Sequence, residues 1–490
     1  MKKILFVSAL FFFISTAIAQ NFGSLKKIDK DLLLRDIELI YQGLDKHHTG
    51  MYWYTSKDSI DNAFSRAQKS ITKDLNEIEF FNLVAPLVSL SREDHTDMRF
   101  SEDTKEFLKA KARYLPLLVV FLDEKMYVSN ESKLFPKRLL GCEIVAINDK
   151  SVMTLVNEFG KLFASDGYIK KVKFSDLNGF RFSKNHFLKY GFTDEYILKI
   201  KNSDGSLEKV KLSPESIPKI QKNLVVNKAN NSINEYLEYK ILNDTIAYLG
   251  IHTFGNDDFK ENEKNKNYKL FLENSFKNIQ KLGIKNLIVD VSKNGGGSEG
   301  NENLLFSYLE DNYKKYNSVC AKSQVSILDN GIDKPIKLKT FGFFEKLFWN
   351  DKMEDGSYCR KSNVGFGLMA YKKEPKYKYN GNLFVVISPL TYSGGSEFSN
   401  MIRTNKRAIF VGEETGGGYY GNTSGYSSEL ILPNSKLSIE IPTLKFEMNV
   451  QDGEFGRGVI PDFKITPTIE EYLAGKNMPI EFIMSGKVIK

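Results

Sequence analysis

Cysteine is rare in this chain, with three residues in 490. Three cysteines permit one disulfide bridge and leave one thiol over, and neither state indicates catalysis or a metal site. In an oxidising compartment we expect Cys320 to pair with Cys359. Cys142 lies in an apolar stretch, Gly141 to Val145, so we expect it to be a small buried core residue.

Long apolar runs are also missing after the N-terminus, because no later stretch reaches the ~18 uninterrupted apolar residues that a membrane-spanning helix needs. The one early run, Ile4 to Phe13, follows two lysines and precedes the small residues Ala17-Ile18-Ala19. This pattern is typical of a secretory signal peptide over residues 1–19. No cysteine stands directly after the cleavage site, so a lipid anchor there is not expected. We therefore expect a periplasmic or extracellular protein with no integral membrane span, beginning near Gln20.

Blocks of a single charge sign are absent as well. The formal net charge of +8 is spread thinly, and lysines such as those in residues 260–264 alternate with acidic residues. Such patterning indicates a solvated surface, so no nucleic-acid partner is expected. Nothing in the sequence indicates the oligomeric state.

Hydrophobic periodicity changes twice along the chain, and the length suggests roughly three domains. Helical spacing predicts an N-terminal helical domain over 20–113, and short strand-like runs with turns follow over 114–214. Strands then alternate with helices over 235–470, which predicts βαβ units and a mainly parallel sheet, with a C-terminal tail over 471–490. The main predicted segments are strands at Leu117 to Leu122, Met126 to Ser129, Ile144 to Ile147, Tyr196 to Ile200, Ile246 to Ile251, Asn286 to Val291, Leu383 to Ile387 and Ala408 to Val411, and helices at Leu270 to Leu282, Asn303 to Tyr308 and Glu397 to Asn405.

Two glycine-bearing turns follow strands of the predicted parallel sheet, where the chemistry of such sheets gathers. The first, Asp290 to Gly297, contains three consecutive glycines whose N–H groups are open to close approach. A phosphate cradle, an oxyanion hole and a flexible linking turn are the alternatives. The Gly-Lys-Ser/Thr ending of a P-loop is missing, and no cofactor is expected.

The second turn contains Ser393, between an apolar strand and a helix. A serine in this position can sit exposed beside the positive end of the helix, where backbone N–H groups stabilise an oxyanion, as acyl transfer requires. The ordinary alternative is that Ser393 and Ser396 only cap the helix.

Histidine is scarce, and the five residues are His47, His48, His95, His186 and His252. None follows Ser298, although Gly296 to Gly300 matches the Gly-x-Ser-x-Gly nucleophile elbow, so Ser298 is excluded as an α/β-hydrolase nucleophile in the usual chain order. His95 lies in a polar, acid-flanked segment and is the candidate general base, with His252 second. The pair His47-His48 lacks a third ligand nearby, so no metal is expected.

Four motifs, in this order, resemble those of the S41 family of serine peptidases, which includes the C-terminal processing and tricorn-type proteases. They are Asp94-His95-Thr96, Asp290 through Gly297, Thr391 through Glu413, and Gly458-Val459-Ile460-Pro461-Asp462. In addition, Leu140 to Asn148 resembles a strand-turn of PDZ domains. The resemblance implies an α/β, multi-domain fold with an N-terminal helical domain, a PDZ-like β-rich domain over 114–214 and a ClpP/crotonase-like α/β catalytic core over 235–470.

The same resemblance implies the site residues. Processing proteases pair their serine with a lysine further along the chain, but this chain has no lysine between Lys406 and Lys436. The tricorn-like subset, which uses serine, histidine and glutamate, fits better. It implies Ser393 as nucleophile, His95 as base and Glu454 as the acid that supports His95.

Asp452 is the reserve for the supporting acid in this interpretation. The expected oxyanion donors are the N–H groups of Gly394 and of Gly295 or Gly296. Tyr419-Tyr420 is interpreted either as a wall of the substrate pocket or as core packing.

The sequence thus predicts a secreted or periplasmic serine endopeptidase acting on a peptide or protein substrate, with cleavage near protein C-termini as one option. The PDZ-like region is expected to bind an extended peptide by strand addition and carboxylate capture. Two alternatives stay open. One is a non-catalytic ligand- or peptide-binding protein on the same scaffold, and the other is a crotonase-like CoA enzyme, which export disfavours because CoA is a cytoplasmic cofactor.

Overall fold

The computed structural model describes residues 22–488, apart from residues 24, 203, 226–234, 262–265, 312, 323–325, 330–331, 336–349, 362–368 and 372–374. The predicted signal peptide, residues 1–19, lies outside the described residues. None of the described helices is long and apolar enough to cross a membrane.

The N-terminal region is helical, and each of its four α-helices begins after a residue whose side chain accepts a first-turn N–H group: Asp29, Ser56, Asn76 and Ser101. The apolar faces of the first three helices form one buried cluster. The elements are α1 Lys30–His47, α2 Lys57–Ser70, α3 Glu77–Val88, β1 Asp97–Arg99 and α4 Glu102–Ala110. The short strand β1 was not expected in a helical region, because its pairing partner lies far along the chain and no local pattern reveals it.

The second region contains an antiparallel sheet of order β2-β3-β5-β7-β8 with helices beside it. The four predicted strands correspond to β2, β3, β5 and β7. The elements are β2 Val119–Leu122, β3 Lys125–Val128, β4 Glu131–Ser132, β5 Glu143–Ile147, β6 Lys150–Ser151, α5 Val152–Phe159, α6 Lys170–Ser175, α7 Arg181–Tyr190, β7 Tyr196–Lys201, β8 Leu207–Leu212, α8 Ile217–Asn223 and β9 Leu224–Val225.

Helices α5 to α7 were not predicted, and they cover the sheet because Val156, Phe159 and Phe182 are buried against it. Cys142 is half-buried, not fully buried as the sequence suggested, and its thiol donates to the Arg138 carbonyl at 3.2 Å.

The third region carries two large sheets and, among the described residues, two short strand pairs. Its elements are β10 Leu237–Asn243, β11 Ile246–Ile251, α9 Asn256–Glu261, α10 Tyr268–Leu282, β12 Asn286–Asp290, α11 Asn301–Ser307, β13 Tyr313–Lys314, β14 Tyr316–Ala321, β15 Ser326–Asp329, β16 Ile332–Pro335, β17 Asn350–Lys352, β18 Tyr358–Arg360, β19 Ala370–Tyr371, β20 Asn382–Ile387, α12 Gly394–Thr404, β21 Ile409–Gly412, β22 Gly421–Ile431, β23 Ser438–Met448, β24 Phe463–Lys464, α13 Ile469–Leu473 and α14 Met478–Met484.

The first sheet has the order β10-β11-β12-β20-β21-β24 and is parallel from β11 onward. Every residue of β11 is buried, as expected for a strand covered on both faces. The predicted alternation of strands and helices is confirmed here. The Ile483 and Val488 side chains, in the predicted tail, pack against one face of this sheet.

The second sheet is antiparallel and was not predicted. Strands β22 and β23 pair along most of their length, with an irregularity between Ser424 and Ser427 that breaks a regular two-residue pattern. Strand β23 also pairs with β14. The predicted disulfide is confirmed, since Cys320 on β14 is bonded to Cys359 on β18.

Strand β23 also joins the N-terminal region to the third region. Its residue Glu440 is the register partner of Asp97 in β1. Glu93, just before β1, accepts from both the N–H and the hydroxyl of Thr423, each at 2.9 Å. The polypeptide that carries His95 is therefore fixed to the sheet that contacts α12 through Asn422 and Glu397.

Candidate active site

Ser393 stands at the turn between β20 and α12, and its backbone is strained. Its φ of 46° and ψ of −123° lie in a region that non-glycine residues rarely adopt. The turn is held from both sides, because the Tyr392 N–H donates to the Asn294 carbonyl at 3.0 Å and the Glu397 N–H donates to the Ser393 carbonyl at 2.8 Å. The half-buried side chain therefore projects at the positive end of an 11-residue helix.

The capping alternative does not describe Ser393, whose side chain makes no cap hydrogen bond. The Ser396 hydroxyl instead donates to the Thr391 carbonyl at 2.7 Å, behind the turn. Of the two serines, Ser393 is the one left available for chemistry.

The triple-glycine turn lies directly against the serine. A Cβ atom added at Gly296 would lie 2.6 Å from the Ser393 Cβ and 3.0 Å from its Oγ, so a larger residue does not fit. The turn is anchored because the Phe254 N–H donates to the Gly296 carbonyl at 2.7 Å. Two loops predicted separately from the sequence thus meet at one point.

The three predicted oxyanion donors differ in their availability. The Gly296 N–H already donates to the Asn294 side-chain carbonyl at 2.9 Å. Across the described residues, the N–H groups of Gly394 and Gly295 have no protein acceptor. These two are the donors that remain for a developing negative charge.

His95 sits in a turn after α3, half-buried, and its Nδ1 atom is buried with no hydrogen-bond partner. Beneath the turn, the fully buried His48 places its Nε2 atom 2.8 Å from the Thr96 hydroxyl. Burial lowers the pKa of His48 to about 3, so this ring is neutral and structural.

Three carboxyl groups crowd the His95 turn: Glu93, Asp94 and Asp166. Burial, and then the charge of Asp166, raises the pKa of Asp94 to about 8. Burial likewise raises the pKa of Asp166, and the charge of His95 is the largest effect opposing that rise. The imidazole thus shares its surroundings with a fully buried acid.

The Ser393 turn lies within electrostatic range of the same acids. Burial most strongly, and then the charges of Asp94, Asp176 and Asp166, raise the pKa of the Tyr392 phenol, next to Ser393. In the part of the chain that the structure describes, however, no hydrogen bond joins the Ser393 hydroxyl to the His95 ring.

The predicted third acid has no described contact with His95. Glu454 has a side chain that is 65% exposed, and its ion-pair partner, at 3.4 Å, is Arg457. Asp452, the reserve, is also exposed and likewise has no described contact with the imidazole. The loop that carries both acids does reach the segment after Asp166, since the Tyr168 N–H donates to the Gly456 carbonyl at 2.6 Å.

The other sequence candidates have their own partners. His252 is buried at the end of β11, where burial lowers its pKa and the Asp290 carboxylate opposes that shift. The Ser298 hydroxyl accepts from the Asn256 N–H at 3.1 Å. Neither has a described contact with Ser393 or His95.

A buried lysine, Lys315, contacts α12 and is a further candidate for the general base. Lys315 contacts Glu302 at 2.5 Å and Glu397 at 2.6 Å. These carboxylates raise the pKa of Lys315 although burial opposes them, so its amine stays protonated and unsuited to take a proton from serine.

A cavity of about 990 Å³ lies away from this site. It is lined by residues of the second region, such as Tyr127 and Arg138, and of the C-terminal segment, such as Lys464 and Ile469. It contains no residue of the Ser393 or His95 turns.

The sequence of the third region matches the model of peptidase family S41 over residues 245–465, a little under half of the chain. The match includes β11 through β24, and with them the triple-glycine turn and Ser393, whereas His95 lies outside it. Members of this family are serine peptidases.

Solved structures resemble this chain along most of its length. Mature CPAF is 13% identical, covering 94% of this chain and 96% of its own, with a TM-score of 0.61. Mature CPAF complexed with lactacystin is 14% identical, covering 94% and 98%, also with a TM-score of 0.61. The photosystem II D1 C-terminal processing protease is 13% identical, covering 92% and 98%, with a TM-score of 0.40. At these identities the CPAF structures show a shared fold.

No curated protein sequence matches this chain. Sequence reasoning proposed the serine, the histidine and the glycines as site residues, but it did not select Asp166. This residue precedes Gly167 in a segment that matches no motif, and an Asp-Gly pair alone indicates only a turn.

Proposed function

We propose that this protein is an exported serine endopeptidase, with Ser393 as nucleophile and His95 as general base. The observation that carries the proposal is the strained Ser393 backbone, which holds the hydroxyl at a helix N-terminus against a turn where only glycine fits. Strain of this kind costs roughly 1–3 kcal/mol and persists where surrounding contacts enforce it.

In the proposed reaction, the Ser393 Oγ attacks the carbonyl carbon of a peptide bond while His95 accepts the hydroxyl proton. The N–H groups of Gly394 and Gly295 stabilise the resulting oxyanion. The tetrahedral intermediate collapses as His95 returns the proton to the leaving amine, and water then hydrolyses the acyl-enzyme through the same groups. Because catalytic hydrogen bonds often form fully only with substrate bound, the missing Ser393–His95 bond is consistent with this assignment.

The identity of the supporting acid has two candidates. Glu454 is the assignment that follows from motif order, while Asp166 is the carboxylate that is hydrogen-bonded to the His95 turn, through the Asp94 N–H. An exposed Glu454 paired with Arg457 has to change partners before it supports an imidazole. The variants described in the next subsection separate the two.

Export is proposed from the N-terminal sequence and supported by the Cys320–Cys359 disulfide, since such bridges persist in oxidising compartments. The PDZ-like identity of residues 114–214, and their role in binding the C-terminus of a substrate, belong to the same proposal. A peptide with a free C-terminus should bind more tightly than its amidated form, and equal affinity would argue against carboxylate capture.

The Ser393→Ala substitution tests the central proposal. Wild-type protein is expected to cleave an unfolded protein substrate and to react covalently with a fluorophosphonate probe, whereas the variant does neither, because it lacks the attacking oxygen. Peptide mapping by mass spectrometry should place the label on Ser393. Circular dichroism checks that the variant is folded.

Ser298→Ala is the matched control, because Ser298 lies in the sequence that imitates a nucleophile elbow. It should retain turnover and labelling. Loss of labelling in Ser298→Ala with retention in Ser393→Ala would overturn the assignment. A folded wild-type protein that neither cleaves nor reacts would instead favour the non-catalytic binding alternative.

A further inference from the structure

Asp166 connects the two halves of the candidate site. Its carboxylate is fully buried and accepts from the Asp94 N–H at 2.9 Å through one oxygen and from the Gly418 N–H at 3.1 Å through the other. Asp94 precedes His95 in the chain, whereas Gly418 belongs to the glycine loop after β21. One side chain from the second region therefore holds together backbone from the other two regions.

The glycine loop leads directly to the nucleophile. A Cβ atom added at Gly417 would lie 3.3 Å from the Ser393 N atom. The Gly418 carbonyl accepts from the Asn400 side chain, on the nucleophile helix, at 3.0 Å. The position of Gly418 is thus fixed relative to Ser393. Asp166 in turn links Gly418 to the His95 turn through its two hydrogen bonds.

The ionisation state of Asp166 also fits its place between Gly418 and the His95 turn. Both of its oxygens accept backbone N–H groups, which is the geometry of an ionised carboxylate. Glu93 is the partner that holds a proton, because one of its oxygens is buried without a hydrogen bond and burial raises its pKa well above the usual range. A negative charge thus remains hydrogen-bonded to the turn of an imidazole whose buried Nδ1 atom has no described partner.

We propose that Asp166 is the positioning residue for His95, setting the spacing between the base and the nucleophile turn and stabilising the imidazolium formed during the reaction. The inference rests on the proposed function, since it assigns the support of the same base. Other titratable or charged groups around this position are Tyr54, Arg92, Glu93, Asp94, Tyr168, Lys173, Asp176 and Tyr392.

Asp166→Asn removes the charge and one of the two acceptors while keeping the side-chain shape. Activity should be measured per serine labelled by the fluorophosphonate probe, so that misfolded molecules do not enter the comparison. We expect kcat to fall by at least about tenfold, up to the ~10⁴-fold that loss of a triad carboxylate can cost. KM should change little, because a fully buried carboxylate contacts no substrate.

The pH profile distinguishes positioning from ordinary structural support. Without the neighbouring charge, a protonated imidazole is less favourable, so the acidic limb of the kcat/KM profile should move to lower pH. Asp176→Asn is the matched control, since Asp176 is half-buried and its charge also acts on Tyr392, but it pairs with Arg181 at 3.6 Å. It should keep the wild-type kcat and profile.

A wild-type kcat and pH profile in Asp166→Asn would overturn the inference while leaving the proposed peptidase intact. A displaced profile in Glu454→Gln, with none in Asp166→Asn, would overturn it in favour of Glu454. If Asp166→Asn does not fold, the same measurements on Asp166→Ser decide, because its hydroxyl still accepts one N–H group. A wild-type protein without turnover overturns both proposals.

Discussion

At the scale of single residues, the close approach of Gly296 to Ser393 defines the candidate site. Gly296 has a φ of +106°, which a residue with a Cβ rarely adopts, and its Cβ position is occupied by the serine side chain. Glycine is thus required here for two independent reasons, one conformational and one steric.

Gly296→Ala should therefore reduce catalysis sharply. The added methyl group displaces Ser393 and the Gly394 N–H, whose N atom lies 3.0 Å from the Cβ position. We expect kcat to fall by about 10²–10³-fold, the usual cost of a lost oxyanion donor, measured with a fluorogenic peptide.

Gly283→Ala provides the comparison. Gly283 also has a positive φ, of +64°, but it caps α10 and has open space at its Cβ position. This substitution should cost about 1 kcal/mol of stability and leave kcat unchanged. Equal kcat values for the two variants would contradict the steric argument.

At the scale of elements, the nucleophile helix α12 is fixed by a buried charge cluster. Lys315, just before β14, bridges Glu302 on α11 and Glu397 on α12. The Tyr316 hydroxyl, on β14, and the Asn422 amide, on β22, also donate to Glu397, at 2.8 and 3.1 Å. Groups from three elements therefore meet at the Glu397 carboxylate, and Lys315 links α11 to them, which restrains the rotation of the helix that follows Ser393.

Lys315→Met should destabilise the protein strongly, because it leaves two buried carboxylates without their cation. Breaking a buried pair in this way costs roughly 3–5 kcal/mol. The change in free energy of unfolding can be measured by urea denaturation. Lys314→Met, at the exposed neighbouring residue, should change it by less than about 0.5 kcal/mol.

At the scale of the whole molecule, several histidines are held uncharged in the interior. Burial lowers the pKa of His186 to about 4, and the ring packs among Phe159, Tyr190 and Tyr196. Between its ordinary pKa, near 6.5, and the lower value in the folded state, the unfolded chain binds a proton that the folded chain excludes. This histidine therefore removes stability as pH falls through that window.

His186→Phe should make unfolding less sensitive to acid. Each proton that the folded state excludes changes the free energy of unfolding by up to about 1.4 kcal/mol per pH unit. The variant should therefore lose less stability than the wild type between about pH 6.5 and 4. Urea titrations at several pH values give the difference between the two proteins. That difference isolates His186 from opposing groups, such as Asp94, whose raised pKa favours the folded state in acid. Parallel curves would contradict the assignment.

The sequence predicted much of the third region because its elements have local signatures. Strand β11 was predicted at Ile246 to Ile251 and is observed there, and α12 begins three residues earlier than predicted because the glycines after Ser393 already belong to the helix. The long hairpin of β22 and β23 was missed, since its exposed and irregular segment has no regular alternation.

The order of motifs by itself pointed to peptidase family S41 and to Ser393, His95 and the glycine turn as candidate site residues, because each depends on a short run of residues. Tertiary structure alone decided which acid is hydrogen-bonded to the His95 turn. Asp166 belongs to no motif and acquires its proposed role from contacts with Asp94 and Gly418, which lie 72 and 252 residues away along the chain. Contacts over such separations depend on how the three regions pack, which local periodicity does not encode.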